Sequence, residues 1–165
     1  MPKLFPVERW FRVQHLDVAL LLANWRWLCP GPKKLVARSA FGDLFLTDEA
    51  GPLSWLNVAV GKFTKIADSE DQFRALLENP QNRNEWFGEE DERGFAATGM
   101  VPNEAQCIAF DIPLVFKEQV VRKPYLIDIY ESVSFLGDLN KQIADVPDGG
   151  EIKLIIGNRP LATDH

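Results

Sequence analysis

The segment that decides the fold of this chain is residues 41–66, which read FGDLFLTDEAGPLSWLNVAVGKFTKI. It contains three short apolar runs, at 41–47, 53–58 and 63–66, and residues typical of turns separate them. Glycine, proline and aspartate favour tight turns because of their backbone preferences and their local side-chain hydrogen bonds. The pattern therefore predicts a three-stranded antiparallel meander.

The residues before the meander predict a buried helix and one more strand. Apolar residues cover most of the surface of a helix drawn over 13–27, and Pro30-Gly31-Pro32 cannot continue that helix. A short strand at 35–39 then leads into the meander. We therefore expect four strands in this part of the chain.

The residues after the meander predict three short helices in succession. Asp68 or Ser69 is a suitable cap for the first helix, and Pro80 suits the first turn of the second helix. The third helix is expected over 89–98, where Gly99 ends it. This middle segment thus packs helices, not strands, beside the meander.

The last third of the chain returns to strand character. Strands are expected at 106–112 and 125–131, and a helix capped by Ser132 or Ser134 is expected to extend to Ala144. A final strand is expected at 151–156. The whole pattern predicts an α+β fold, with helices packed on an antiparallel or mixed sheet.

We expect one compact domain, because the chain is too short for two large cores. Within it, residues 1–38 form an N-terminal arm and helix, 39–157 form the α+β body, and 158–165 form a tail.

The charge of the chain is unevenly distributed along its 165 residues. Residues 1–38 carry seven Lys or Arg and two Asp or Glu (+5), whereas 39–165 carry eleven and twenty-two (−11). The acidic body argues against direct nucleic-acid binding, because nucleic-acid-binding proteins usually present a basic patch. It suits a basic protein partner, and ordinary solubility explains it equally well.

The cysteines and the hydropathy pattern bear on location. Cys29 and Cys107 have no CxxC partner, so neither a zinc site nor a disulfide framework is indicated. The longest apolar run, 18–23, is far shorter than the roughly 20 residues that a membrane span needs. We therefore expect a cytoplasmic protein with no membrane contact.

No motif for catalysis or cofactor binding is present in the sequence. The patterns HExxH, GxSxG, GxGxxG and GxxxxGKS are all missing, and the only histidines are His15 and His165. Asp43, Asp48 and Glu49 are compatible with cation binding or acid–base work, but turn formation explains them better. We therefore predict no catalytic, cofactor or metal site.

The acidic and aromatic residues are the candidates for binding. The run 89–92 is the densest acidic stretch, and it suits either a solvated first helical turn or a contact patch for a basic partner. Of the five tryptophans, Trp10 is expected to be the most exposed, because Arg9 and Arg12 flank it.

Several blocks of the sequence, taken in order, resemble the C-terminal domain of bacterial type VI secretion immunity proteins. The blocks are FGDLFL (41–46), DEAG (48–51), LNV (56–58) with Gly61, EDQFRALLENPQNRNEW (70–86), CIAFDIP (107–113), FLGDL (135–139) and VPDG (146–149). Members of that family are small cytoplasmic proteins that bind and neutralise a cognate antibacterial toxin, in the founding case a DNA-degrading effector. The resemblance thus implies a non-enzymatic protein that occludes a toxin such as a basic nuclease.

The sequence is also compatible with two other functions. One is an intracellular protein-interaction module with no toxin partner, and the other is a small-ligand-binding domain or enzyme that uses Asp43, Asp128 or Tyr130. For a toxin interface, the acids at the start of the first and third helices are the expected contacts: Asp68, Glu70, Asp71, Glu89, Glu90, Asp91 and Glu92.

Overall fold

The computed structural model describes residues 7–49, 51–116 and 121–146, together with the backbone of 155–156 and 159–160. Its central element is a four-stranded antiparallel sheet with the strand order β1-β2-β3-β4. The strands are β1 (Lys34–Arg38), β2 (Leu44–Thr47), β3 (Leu53–Asn57) and β4 (Lys62–Ala67). The predicted meander and the preceding fourth strand are therefore confirmed.

Helices cover both faces of this sheet, because apolar side chains point to both sides of its central strand. In β2, Leu44 and Leu46 belong to one buried cluster, whereas Phe45 belongs to another. The cluster around Leu44 includes Trp25 and Val133, and the cluster around Phe45 includes Phe73, Phe87 and Trp10. The result is a sheet between two helical layers, each with its own core.

Register shifts in the two edge strands enlarge the core around Phe45. The pairing of β1 with β2 shifts between Leu35 and Ala37, and both Val36 and Ala37 lie in the Phe45 cluster. The pairing of β3 with β4 shifts between Leu53 and Ser54. An extra residue in one strand lets two successive side chains face the same side, which regular alternation forbids.

The remaining elements occupy the ends and faces of the sheet. A 3₁₀ turn covers Glu8–Phe11, and the helices are α1 (Val18–Leu21), α2 (Glu70–Leu76), α3 (Pro80–Phe87), α4 (Glu89–Ala97) and α5 (Ile129–Ala144). Two further antiparallel pairs are β5 (Gln106–Phe110) with β6 (Pro124–Asp128), and β7 (Ile155–Ile156) with β8 (Arg159–Pro160). The predicted α+β fold class is confirmed.

The three helices after the meander form as the sequence predicts. The Ser69 hydroxyl accepts a hydrogen bond from the Gln72 backbone N–H at 3.1 Å and caps α2. Asn79 caps α3, and Pro80 is its first residue. Gly88, in a left-handed conformation at φ 61°, ends α3 and also precedes α4. A Cβ at Gly88 would lie 3.0 Å from the Phe41 ring, so this corner requires glycine.

The predicted helix over 13–27 is wrong in length. Only Val18–Leu21 is α-helical, and turns continue the chain to Cys29. The helix ends after Leu21, because the residues that follow it are held by hydrogen bonds to α5. The Trp25 indole donates to the Val133 carbonyl at 2.8 Å, and the Asn24 amide donates to the Ser134 carbonyl at 3.0 Å.

The predicted boundary between the last long strand and α5 is also wrong. Asp128, not Ser132 or Ser134, caps this helix, and its carboxylate accepts from the backbone N–H groups of Tyr130 and Glu131. Residues 129–131 are consequently helical, whereas the sequence pattern predicted a strand. The side-chain cap thus outweighs the strong β preference of these residues.

Other expectations fall partly outside the described residues. The predicted final strand at 151–156 is described only at 155–156. The expected arm of residues 1–38 includes β1, which is an edge strand of the central sheet.

Candidate binding surface

Helices α2, α3 and α4 form the layer that carries most of the acids expected to bind a partner. Residues 68–97 hold nine Asp or Glu and three Arg, a formal charge of −6, which equals the net charge of the whole chain. The remaining residues are neutral in sum. We call this segment the acidic helical layer.

The first group of expected contacts lies around the start of α2, where the three acids have different surroundings. Asp68 pairs with Lys65 at 2.7 Å. Glu70 accepts from Arg74 at 3.3 Å and lies 3.8 Å from the Lys34 ammonium. Asp71 is exposed, and none of the ion pairs between described residues involves it. Asp71 is therefore the member of this group most available to a partner.

The second group, 89–92, is split by the structure into two inward and two outward acids. Glu89 pairs with Arg83 at 3.1 Å and with Arg93 at 3.5 Å. Glu90 and Asp91 are exposed, and no ion pair between described residues uses them. Within 89–92, the acids available to a basic partner are therefore Glu90 and Asp91.

Glu92 is only 4% exposed, so it contributes to the interior and not to the surface. Its carboxylate accepts from the Trp10 indole at 2.9 Å and pairs with the Arg9 guanidinium at 2.5 Å. The expectation that Trp10 is exposed is wrong for the same reason, since Trp10 is 2% exposed and stacks on Phe87 at 4.0 Å.

Sequence reasoning missed this contact because 83 residues separate Arg9 from Glu92. The available signal was the opposite charge of the first 38 residues and the rest of the chain. Two of these N-terminal cations, Arg9 and Lys34, pair with acids of the acidic helical layer. Some of the opposite charges of the two segments therefore form ion pairs within the folded chain.

The residues considered for an enzyme or a ligand site all have structural hydrogen bonds. The Asp43 carboxylate accepts from the Trp55 indole at 2.9 Å and from the Val58 backbone N–H at 3.2 Å. Asp128 caps α5, and the Tyr130 hydroxyl accepts from the Asp17 backbone N–H at 2.9 Å. These contacts account for the polar atoms without a ligand.

Asp43 nevertheless has an unusual chemical environment. Burial raises its pKa to about 6, and the hydrogen bonds from Trp55 and Val58 offset only part of that effect. Asp43 closes the end of the β2–β3 hairpin. Its ionisation is therefore coupled to the stability of the central sheet.

His15, Asp48 and Glu49 lie at the surface. The His15 Nε2 atom contacts the Glu104 carbonyl at 2.8 Å. In the part of the chain that the structure describes, no three His, Cys, Asp or Glu side chains are close enough together to hold a metal ion. No helix within the same part is long and apolar enough to cross a membrane.

Comparison of this chain with protein-family models, with curated proteins and with solved structures finds no match.

Proposed function

We propose that this chain is a cytoplasmic immunity-type protein that binds a basic antibacterial toxin, such as a nuclease, and neutralises it by occlusion. The observation that carries the proposal is a set of exposed acids on the acidic helical layer without ion pairs to described residues: Asp71, Glu85, Glu90 and Asp91. The three arginines of the layer are concentrated on two other acids, Glu70 and Glu89, or contact backbone carbonyls. The layer therefore presents unneutralised negative charge.

Such a surface favours a basic partner for electrostatic reasons. Clustered charges of one sign raise the association rate with an oppositely charged protein, and salt weakens the effect. The active-site groove of a nuclease is positive because it binds phosphates. Acids on a protein surface can occupy such a groove in place of the nucleic acid.

The resemblance to the immunity family concerns blocks of sequence that form defined elements of this fold. The block 41–46 forms the turn before β2 and part of that strand, and 70–86 forms α2 and most of α3. The block 107–113 includes most of β5, and 135–139 lies within α5. These elements build both cores of the sheet, so the shared pattern concerns the scaffold, while the toxin-specific contacts belong to exposed side chains.

A survival assay tests the proposal. Cells that express a toxin encoded by a neighbouring gene are expected to survive when they also express this chain, and to die without it. If the cells die equally in both cases, the toxin-neutralising function is wrong. If the chain binds another basic protein and gives no protection, the interaction-module alternative replaces it.

The location of the interface is tested by charge reversal. Glu90→Lys with Asp91→Lys is expected to slow toxin association about tenfold at low salt and less at high salt. The matched control is Asp138→Lys on α5 with Asp145→Lys at its C-terminal cap, which makes the same charge change on the other side of the sheet. Stopped-flow experiments measure the association rate of each variant with the toxin. Equal slowing of association by the two variants would show that the interface does not centre on Glu90 and Asp91.

A further inference from the structure

The outer edge of β6 is the feature that the proposed function leaves unused. The Ile129 backbone N–H donates to the Ala105 carbonyl at 2.8 Å, and the Asp111 N–H donates to the Lys123 carbonyl at 3.0 Å. In the same register, Cys107 lies opposite Ile127. Backbone hydrogen-bonding groups point alternately to the two sides of a strand. The backbone N–H and C=O groups of the odd-numbered residues of β6 therefore point toward β5, and those of the even-numbered residues point away from it.

The far edge of β5 is already occupied, whereas no described strand pairs with the far edge of β6. The Ile108 N–H donates to the Ala40 carbonyl at 2.8 Å, and the Arg38 guanidinium donates to the Gln106 carbonyl at 2.6 Å. On β6, the outward N–H and C=O groups belong to Leu126 and its even-numbered neighbours. Among the described strands, only β5 pairs with β6.

Apolar side chains accompany this outer edge of β6. Tyr125 is 43% exposed, Leu126 is 37% exposed, and Val121, just before the strand, is 86% exposed. An exposed strand edge with apolar side chains is a template for pairing with another strand. Pro124 lacks an N–H group, but its carbonyl still accepts a hydrogen bond at this edge.

The charges at the ends of β6 identify the partner strand. Lys123 precedes the strand, whereas Asp128 ends it and Glu131 follows in the first turn of α5. All three side chains are exposed. An antiparallel copy of the same segment sets the basic end of one strand beside the acidic end of the other. The segment is therefore complementary to itself in charge.

We propose that β6 pairs with the β6 strand of a second copy of this chain, so that two β5–β6 sheets join into one four-stranded antiparallel sheet. A two-fold axis beside Leu126 overlaps the two strands fully and places Leu126 opposite its counterpart. The same register sets Tyr125 opposite Ile127 of the second copy, twice. Pairs of an aromatic and a β-branched residue stabilise antiparallel strands.

Disulfide trapping tests the register directly. In a hydrogen-bonded antiparallel pair the Cα atoms are about 5.5 Å apart, which is within the range that a disulfide spans. The variant Leu126→Cys is therefore expected to form a covalent dimer on mild oxidation. Leu20→Cys is the control, because Leu20 is 52% exposed but lies on α1. The native Cys29 and Cys107 are buried, and burial raises the pKa of both thiols, so they do not compete.

A second variant tests the backbone pairing without a cysteine. Leu126→Pro replaces the leucine side chain and removes an N–H group that faces away from β5, but it leaves the backbone hydrogen bonds between β5 and β6 in place. Because proline is tolerated on the solvent side of an edge strand, the far-ultraviolet circular dichroism is expected to stay largely unchanged. Sedimentation equilibrium is expected to show that the dissociation constant of the dimer rises by roughly tenfold or more. The proposal is overturned if the unmodified chain stays monomeric at high concentration, if both cysteine variants cross-link equally, or if Leu126→Pro leaves the dimer intact.

Discussion

At the residue scale, Asp43 shows how a fold changes the chemistry of a common turn residue. Its place beside Gly42 indicated a turn residue, and it does directly precede β2. Its hydrogen bonds to the indole of Trp55 and the N–H group of Val58 arise only once the hairpin has closed. The position was therefore predictable from the sequence, and the burial that raises its pKa was not.

The raised pKa of Asp43 predicts a specific pH dependence of stability. Its pKa is about 6 in the folded chain and 3.8 in the reference state, so the folded chain binds this proton more tightly. The stabilisation is complete below about pH 4 and is lost as the pH rises through 6. Because the side chain is partly exposed, we expect a change of about 1–3 kcal/mol.

The variant Asp43→Asn isolates this effect because it cannot titrate. Its destabilisation relative to the natural chain is expected to be larger at pH 4.5 than at pH 7.5. Urea denaturation at both pH values measures the difference. A cost that is the same at both pH values, or larger at pH 7.5, would show that Asp43 does not have a raised pKa.

The burial of Glu92 and Trp10 was not predictable from the sequence. Both were expected at the surface because their sequence neighbours are charged, and both are buried. Burial becomes possible because each satisfies the polar atom of the other, with Arg9 as the counter-ion. A buried carboxylate needs such partners, and local sequence does not disclose a partner 82 residues away.

At the element scale, prediction succeeded where local signals act alone. The β2–β3 and β3–β4 turns, the Ser69 cap and the Asn79-Pro80 step each depend on residues close together in sequence. The segment 13–29 and the start of α5 depend on each other, because Trp25 donates to Val133. That long-range contact explains why the helix predicted over 13–27 was too long. The start of α5 was misplaced for a different reason, because the Asp128 cap prevailed over the β preference of residues 129–131.

The close approach of α5 to the residues after α1 predicts a contrast between two helical glycines. A Cβ added at Gly137 would lie 2.7 Å from the Asn24 carbonyl oxygen, whereas a Cβ at Gly94 in α4 would meet nothing within 4 Å. We expect Gly137→Ala to destabilise the chain by about 1–3 kcal/mol, because backbone must move. Gly94→Ala is expected to stabilise it by about 0.5–1 kcal/mol.

Chemical denaturation of the two glycine variants provides the comparison, and each serves as the other's control for helix propensity. The expected order of stability is Gly94→Ala above the natural chain, with Gly137→Ala below it. Equal stabilisation by both substitutions would mean that α5 does not approach the Asn24 backbone closely.

At the scale of the whole molecule, the arrangement of charge is the property most relevant to function. The sequence located the acids correctly on α2 and α4, and their spacing indicated helix starts. It did not distinguish the outward acids from those that neutralise Arg9, Arg74 and Arg83, because that distinction requires the packing of the layers. Of the predicted contacts, Asp71, Glu90 and Asp91 consequently remain as candidates, and the exposed Glu85, which was not predicted, joins them.

Titration of a toxin with the purified chain measures toxin neutralisation itself. The toxin encoded by the neighbouring gene is held at a concentration well above the dissociation constant, and its enzymatic activity is measured as the chain is added. Toxin activity is expected to fall linearly and to reach zero at a stoichiometric ratio, with no recovery at longer times, because the chain occludes the toxin and does not degrade it. Full toxin activity in the presence of excess chain would mean that this chain does not neutralise the toxin.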